Sequence, residues 1–361
     1  MIIGFDPIDK QDAYIEIVKK IFTELDCELV DFNAEIFSAH PQMDVAYLNW
    51  FENMPHKKWN QNFMSFLKRL AILTWLKYKH IPFIYVAHNL SLHDACGAQF
   101  ADIIMKLCLK NASIIGETVS STPKLFREIR HFEIPSQSKS LLLSIPNYEF
   151  GDIDYHNQDI WKPGHRLKIL NFGMVRPYKN VESIILLAQQ YPQIDFRIVG
   201  SAKPDYMQQL LNMAANVENI SFRFQYLSDD ELNNEILDSD IVLLPYHKET
   251  MLNSGALRHA SVLGRSAICP VIGNSYELNH ADYYFYDYES NEEHFKQLSL
   301  CIQRVLNDYI SDRETIVKMG EGARSQHLEL YNYEKIKGNY RAALQILCHE
   351  NGPCQSVVNK K

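Results

Sequence analysis

The sequence predicts an α/β protein built as two Rossmann-like, doubly wound domains facing each other across a cleft. Three observations lead there. Apolar strand-like runs alternate with amphipathic helical runs along the whole chain, the pattern of a parallel sheet covered on both faces. A chain of 361 residues is too long for one typical domain and suits two of similar size. Residues 149–166, EFGDIDYHNQDIWKPGHR, are polar and broken by Gly and Pro, which marks a linker. We therefore expect one domain over residues 1–160, a second over 161–330, and a final helix with a tail over 331–361.

Taken in order, MIIGFD is the first strand, with neither the basic region nor the apolar run of a signal peptide. The helix AYIEIVKKIFTEL follows, with Tyr14, Ile17, Val18, Ile21 and Leu25 on one face. CELVDF and DVAYLNWF are the next strands. WNQNFMSFLKRLAILTWLKYKH is a helix packing through Phe63, Phe66, Leu67 and Leu70, and IPFIYVAHN is a strand with a polar carboxyl end. DACGAQFADIIMKLCLKNA is a helix, SIIGE a strand, and SSTPKLFREI a helix with Thr122 as N-cap and Pro123 in its first turn. LLLSIPNY closes this half. The second half repeats the strand–helix logic and ends its sheet with YYFYDY. EEHFKQLSLCIQRVLNDY and RETIVKMGEGARSQHLEL are helices, the latter interrupted by glycines. YNYEKIKGNYRAALQIL is the last helix, before a polar tail expected to be disordered.

Composition excludes several classes. A net charge of −8 argues against non-specific nucleic-acid binding, which needs a basic field. Seven cysteines lie scattered with neither C-x-x-C pairs nor metal-ligand spacing, as in a reducing, cytosol-like compartment. No run approaches the roughly 18 apolar residues of a spanning helix. The protein is expected to be cytoplasmic, soluble or peripheral to a membrane.

Between Lys168 and Leu278 four signals recur in order: LKILNFGMVRPYKN, FRIVGS, DIVLLPYHKETMLNSGALRHASVLG and SAICPVIGNSYEL. Each is a strand followed by a loop, which puts the loop where open α/β sheets bind ligands. Arg176 and Lys179 follow Gly173 directly, and a guanidinium fork with an ammonium could clamp a diphosphate. Two solvated surface cations are the plainer alternative. Ser254 can cap a helix whose first free amides, around Gly255, favour an anion, and glycine there permits close approach. An ordinary N-cap would look the same.

At this point a family resemblance emerges. The ordered set NFGMVRPYKN, FRIVGS, LPY, NSGALRHASVLGRSAICP and NSYEL resembles the donor half of GT-B glycosyltransferases, in particular the retaining family 4 enzymes. LNWFE, FIYVAHNLSLHD and SIPNYEF resemble the acceptor half of bacterial members that build capsule, exopolysaccharide or O-antigen. The resemblance implies a nucleotide-diphosphate sugar bound between the domains, with Arg176, Lys179, Ser254 and Gly255 on the diphosphate. It implies that His88 contacts the transferred sugar, and that His93 and Asp94 lie on the acceptor side. It also implies a final helix crossing back to the first domain, a hinge near Asp159, and a glycan or lipid-linked glycan as acceptor.

The sequence departs from the family at one place. Where family 4 enzymes carry two glutamates, this chain has Met251 and His259. Glu249 and Glu277 are the substitutes we assign to sugar and ribose, with Gly173 beside them. Retention of configuration is what the resemblance implies, the departing phosphate taking the acceptor's proton. An inverting reaction would instead need a base, for which Asp9, Asp12, Asp94 and Glu117 are the acids available. No cofactor and no metal are expected; the D-x-D spacings at Asp152/Asp154 and Asp238/Asp240 lie away from the diphosphate. A nucleotide-sugar epimerase and a non-catalytic nucleotide-sugar-binding homologue remain as alternatives. Residues 54–92 hold no acid but six cations, and Lys68, Arg69, Lys77 and Lys79 are expected to rest on an anionic membrane surface.

Overall fold

In the computed structural model, residues 1–10, 12–54, 58–90, 97–135, 139–147, 154–155 and 158–351 are described. Contacts divide them into two units. The first comprises residues 1–146 together with the chain from Tyr331 onward; the second spans Asn147–Leu330.

The first unit starts with β1 (Ile2–Asp6), α1 (Ala13–Glu24), β2 (Glu28–Asp31), the one-turn α2 (Phe32–Glu35) and β3 (Val45–Asn49). It continues through α3 (Trp59–Tyr78), β4 (Phe83–Ala87), α4 (Ala98–Asn111), β5 (Ile114–Glu117), α5 (Thr122–Arg130) and β6 (Lys139–Leu142). All strands pair in parallel in the order β2-β1-β3-β4-β5-β6. β3, β4 and β5 are buried throughout, as strands covered on both faces must be. One face carries Ile3, Phe5, Val45, Tyr47, Ile84 and Val86. Against it pack α1, through Val18 and Phe22, and α12 (Tyr333–Asn351), through Ile336, Tyr340 and Leu344.

The second unit runs through β7 (Lys168–Phe172), α6 (Glu182–Gln190), β8 (Asp195–Val199), α7 (Pro204–Met213), β9 (Ile220–Arg223) and α8 (Asp229–Leu237). β10 (Ile241–Leu243), α9 (Gly255–Val262), β11 (Ala267–Pro270), β12 (Tyr284–Tyr286), α10 (Asn291–Ser311) and α11 (Arg313–Leu330) follow. Its sheet is again parallel, in the order β12-β11-β10-β7-β8-β9. Residues of alternating parity feed two cores. Ile169, Phe196, Ile198 and Ile241 join α6 and α10, whereas Leu170, Phe172, Val199 and Val242 join α8, α9 and α11.

The predicted doubly wound class is thus the one observed, with local corrections. Ser121, not Thr122, precedes α5 and makes no capping bond through its side chain; the Thr122 hydroxyl donates to Val119 O at 2.7 Å. α11 is not interrupted by its glycines. A Cβ at Gly320 would lie 2.1 Å from the Gly264 carbonyl oxygen, so glycine serves close helix approach rather than a break.

This gives opposite signs for one substitution at two helical glycines. Gly338→Ala, where the added methyl meets nothing within 4 Å, should stabilise by about 0.5–1 kcal/mol. Gly320→Ala should destabilise by about 1–3 kcal/mol through overpacking. Denaturant unfolding of both variants measures this, and a stabilised Gly320→Ala would contradict the packing described.

Candidate functional site

Two parallel sheets present two switch points, where neighbouring strands leave in opposite directions and their carboxyl ends open a crevice. In the second unit the switch lies between β7 and β10, in the first between β1 and β3.

At the second unit's switch, β7 ends at Phe172 and Gly173 turns the chain with φ +97°. Gly200 crosses there at φ +138°, and a Cβ on it would lie 1.9 Å from Gly173 O. Only glycine fits that crossing. A single 3-10 turn, Pro177–Lys179, then folds the lysine back over Gly173, with Nζ 3.0 Å from where a Cβ would stand. Lys179 is 9% exposed, and no carboxylate among the described residues pairs with it. Its Nζ stands 5.8 Å from the centre of the Tyr246 ring. Burial without a counter-charge lowers its pKa to about 8.

Tyr246 carries the connection across the switch: its hydroxyl meets Ser254 Oγ at 3.1 Å. Ser254 in turn caps α9, accepting from Leu257 N at 3.1 Å, and leaves Gly255 exposed at the first helical position. Lys179, Tyr246 and Ser254 therefore form one assembly. Arg176 is half-buried at the start of the Pro177–Lys179 turn, and its side chain bonds to no described residue.

The residues at the glutamate positions serve packing. Met251 is buried in the core with Leu257. His259 is half-buried, edge-on to Phe172 at 5.8 Å, with Nε2 2.7 Å from Asn233 Oδ1. Burial lowers its pKa to about 4, so the ring is neutral. Glu249 is exposed on the 3-10 turn Lys248–Thr250, and Glu277 is half-buried at the end of Gly273–Glu277. Between them sits a residue that the sequence reading missed. Asn274 is fully buried, and neither of its amide atoms finds a partner among the described residues.

At the first unit's switch, His88 follows β4 and stacks on Trp50, with ring centres 4.2 Å apart at 20°. Tyr14 meets the same ring edge-on at 4.8 Å. Its Nε2 lies 3.1 Å from Asn49 Oδ1, the last residue of β3. Burial, with Lys10 adding a smaller repulsion, lowers its pKa to about 3. Lys10 Nζ sits over Trp50 at 3.6 Å and pairs with Asp12 at 3.3 Å. Sequence reasoning found His88 but not Tyr14, Asn49 and Trp50. The polar Asn49 ending an otherwise apolar strand was the available signal.

The remaining candidates scatter. His93, Asp94 and Asp152 lie outside the described residues. Asp12 caps α1 by accepting from Tyr14 N, and Glu117 is buried at the end of β5. Asp238 pairs with Lys168 at 2.9 Å, while Asp240 accepts from Lys168 N and meets His165, both at 2.8 Å. Those acids brace the amino end of β10, opposite the switch. Of the cations expected to face a membrane, Lys68 and Lys77 are exposed and Lys79 donates to Ala39 O at 2.8 Å. Arg69 is turned inward: Nε donates to Phe51 O at 2.6 Å, and the two terminal nitrogens to Ser65 O and Asn53 O.

No protein-family profile matches the chain. Over 106 residues, 28% of its length, it is 35% identical to the GDP-mannose:glycolipid 4-beta-D-mannosyltransferase of Xanthomonas campestris pv. campestris, and the match spans 30% of that protein. Among solved structures, sucrose-phosphate synthase from Thermosynechococcus elongatus is similar at a TM-score of 0.66, with 14% identity over 93% of this chain and 80% of that one. Anabaena Alr3699/HepE, solved with UDP and glucose, gives a TM-score of 0.65, with 15% identity over 95% and 99%. At such identities it is the architecture that is shared, two Rossmann-like units each with six parallel strands, and the fold of this chain is that of the GT-B glycosyltransferases.

Proposed function

We propose that the protein is a glycosyltransferase that moves a sugar from a nucleotide-diphosphate donor to a glycan or lipid-linked glycan. One observation carries the reading: an ammonium buried with no carboxylate among the described residues beside it, at a switch point, near Tyr246 and the helix start that Ser254 caps. Burying an unpaired charge costs free energy, and an anionic ligand supplies the missing partner. The Xanthomonas relative, named for GDP-mannose and a glycolipid, supports both donor and acceptor class. Arg176, with no bond to a described residue, is free to add a planar two-oxygen contact.

The Lys179 cost can be measured. Its folded pKa lies below the unfolded value, so the penalty is full below about pH 8 and vanishes as pH rises toward 10.5. A shift of that size corresponds to roughly 3 kcal/mol. Lys179→Met should therefore raise the Tm of the free protein at pH 7, with the gain shrinking toward pH 10. In a thermal-shift panel of UDP, GDP, dTDP, ADP and CMP with their sugar conjugates, one nucleotide should stabilise the wild type. A ligand at 100 times its Kd adds about 2.7 kcal/mol. Lys179→Met and Arg176→Ala should lose that shift; an intact shift in both would sink the diphosphate clamp, and no shift for any nucleotide in wild type would remove the nucleotide-sugar reading itself.

Retention of configuration follows the family 4 resemblance. Inversion is a second reading with observations of its own: Met251 and His259 are not carboxylates, and the relative's name specifies a 4-β linkage. The one-bond carbon–proton coupling at the anomeric carbon of the fresh product separates the two. From an α-linked donor, an α product supports retention and a β product inversion.

We further read the acceptor as membrane-borne and the protein as cytoplasmic and peripheral. Lys68 and Lys77 are exposed on α3, which also carries Trp59, 57% exposed, and Tyr78, 77% exposed. Among the described residues no helix is long and apolar enough to cross a membrane. Each cation near an anionic surface contributes about 1 kcal/mol. The double variant Lys68→Gln/Lys77→Gln should release the protein from phosphatidylglycerol vesicles at low salt; a wild type that never binds them removes the membrane reading.

A further inference from the structure

We propose that Asn49 holds His88 in the neutral tautomer protonated on Nε2, so that the ring presents Nδ1 to the substrate as a hydrogen-bond acceptor. The substrate side of this statement rests on the glycosyltransferase reading; the tautomer does not.

A backbone carbonyl fixes the amide's orientation. Asn49 Nδ2 stands 3.0 Å from Asp6 O, which can only accept, so this end of the amide must be the NH2 group. The opposite end is then the carbonyl oxygen, which can only accept as well. Two groups meet it: the Tyr14 hydroxyl at 2.8 Å and His88 Nε2 at 3.1 Å. Both must donate. Turning the amide over would set Oδ1 against Asp6 O, two acceptors face to face. The orientation is therefore fixed, and Nε2 carries the hydrogen.

The second proton of an imidazolium is refused by the surroundings. Trp50 covers one face of the ring, Tyr14 closes on it edge-on, and among the described residues Lys10, its Nζ over Trp50, adds a repulsion. Tyr47, 2.9 Å from the Tyr14 hydroxyl, is neutral too. Nδ1, which bonds to no described residue, is left with a lone pair. That chemistry suits an alcohol donor, such as a sugar hydroxyl, rather than a developing anion.

The support reaches further than the pair. Tyr47 hydroxyl lies 3.1 Å from that of Tyr340 on α12, whose oxygen stands 3.3 Å from Leu143 O. On the other side, Trp50 stands in the left-handed region at φ +49°, and the turn after it is held by the Arg69 guanidinium on Phe51 O and Asn53 O. Asn49, Trp50 and Arg69 thus act through His88 as positioning residues.

The test is a long-range proton–nitrogen correlation on protein labelled with 15N-histidine, His88 being assigned by its loss in His88→Gln. Between pH 5 and 8 we expect a protonated Nε2 and an unprotonated Nδ1; the Nδ1–H form or an imidazolium would overturn the assignment. Asn49→Asp keeps the acceptor and adds a charge, which raises the histidine pKa. Its kcat should fall as pH drops through the neutral range and recover at higher pH, while wild type stays flat there. Asn49→Leu should lower kcat at least about tenfold, the worth of one hydrogen bond, with little change in donor KM. Combined with His88→Gln it should cost nothing further, and a multiplicative loss would show that Asn49 does not act through His88. Far-UV circular dichroism separates misfolding, in which case Asn49→Asp carries the kinetic arm. If no donor is turned over at all, the glycosyltransferase reading fails while the tautomer is still decided by the spectrum.

Discussion

Parallel pairing is the constraint on which everything else hangs. Parallel neighbours cannot be joined by a tight turn, so each strand is followed by a helix that returns across a face of the sheet. Both faces are therefore covered, and the inner strands β3, β4, β5, β10 and β11 are buried along their whole length. Where the order of crossovers reverses, at β1/β3 and β7/β10, the loops diverge and leave room for a ligand. Asn49 ends β3 and His88 follows β4 in one unit, while Lys179 and Ser254 lie in the loops after β7 and β10 in the other.

The two switch points are tuned in opposite senses. Around Lys179 burial works against an ammonium that no carboxylate among the described residues offsets. Around His88 burial works with the hydrogen bonds: the neutral ring is the form that both desolvation and Asn49 favour. A cationic site invites phosphate, a neutral one invites hydroxyl groups. Under the proposed function the first would take the diphosphate and the second sugar hydroxyls.

Periodicity made the fold legible. Strands such as IPFIYVA and DIVLLPY are apolar through and through, and helices such as AYIEIVKKIFTEL carry one stripe; these signals are local, and the structure is built from them. The edge strand β9 and helix α8 escaped because ISFR is short and DDELNNEIL is mostly polar. Even so, Ser228 and Glu231 form a capping box whose spacing the sequence displays. Glycine was legible in kind but not in purpose. Gly320 looks like a helix breaker until the Gly264 carbonyl is known to lie against it.

The site was legible where its residues follow a strand within one segment, and not where it is assembled from afar. Arg176 and Lys179 could be picked out beside Gly173, but nothing in the sequence says that the lysine folds back over that glycine and loses its water. The hydroxyl run from Tyr340 to Tyr47 joins residues 293 positions apart, and Arg69 reads as a surface cation until its three carbonyl partners are seen. A buried polar group must find partners, and the fold chooses which; the sequence only supplies the candidates. For that reason the departures at Met251 and His259 weigh less than they do on alignment alone. Met251 fills the core beside Leu257, and His259 leans on Phe172 and Asn233, so both positions contribute to holding α9. That helix's start is capped by Ser254, which Tyr246 meets, and neither position takes part in that contact.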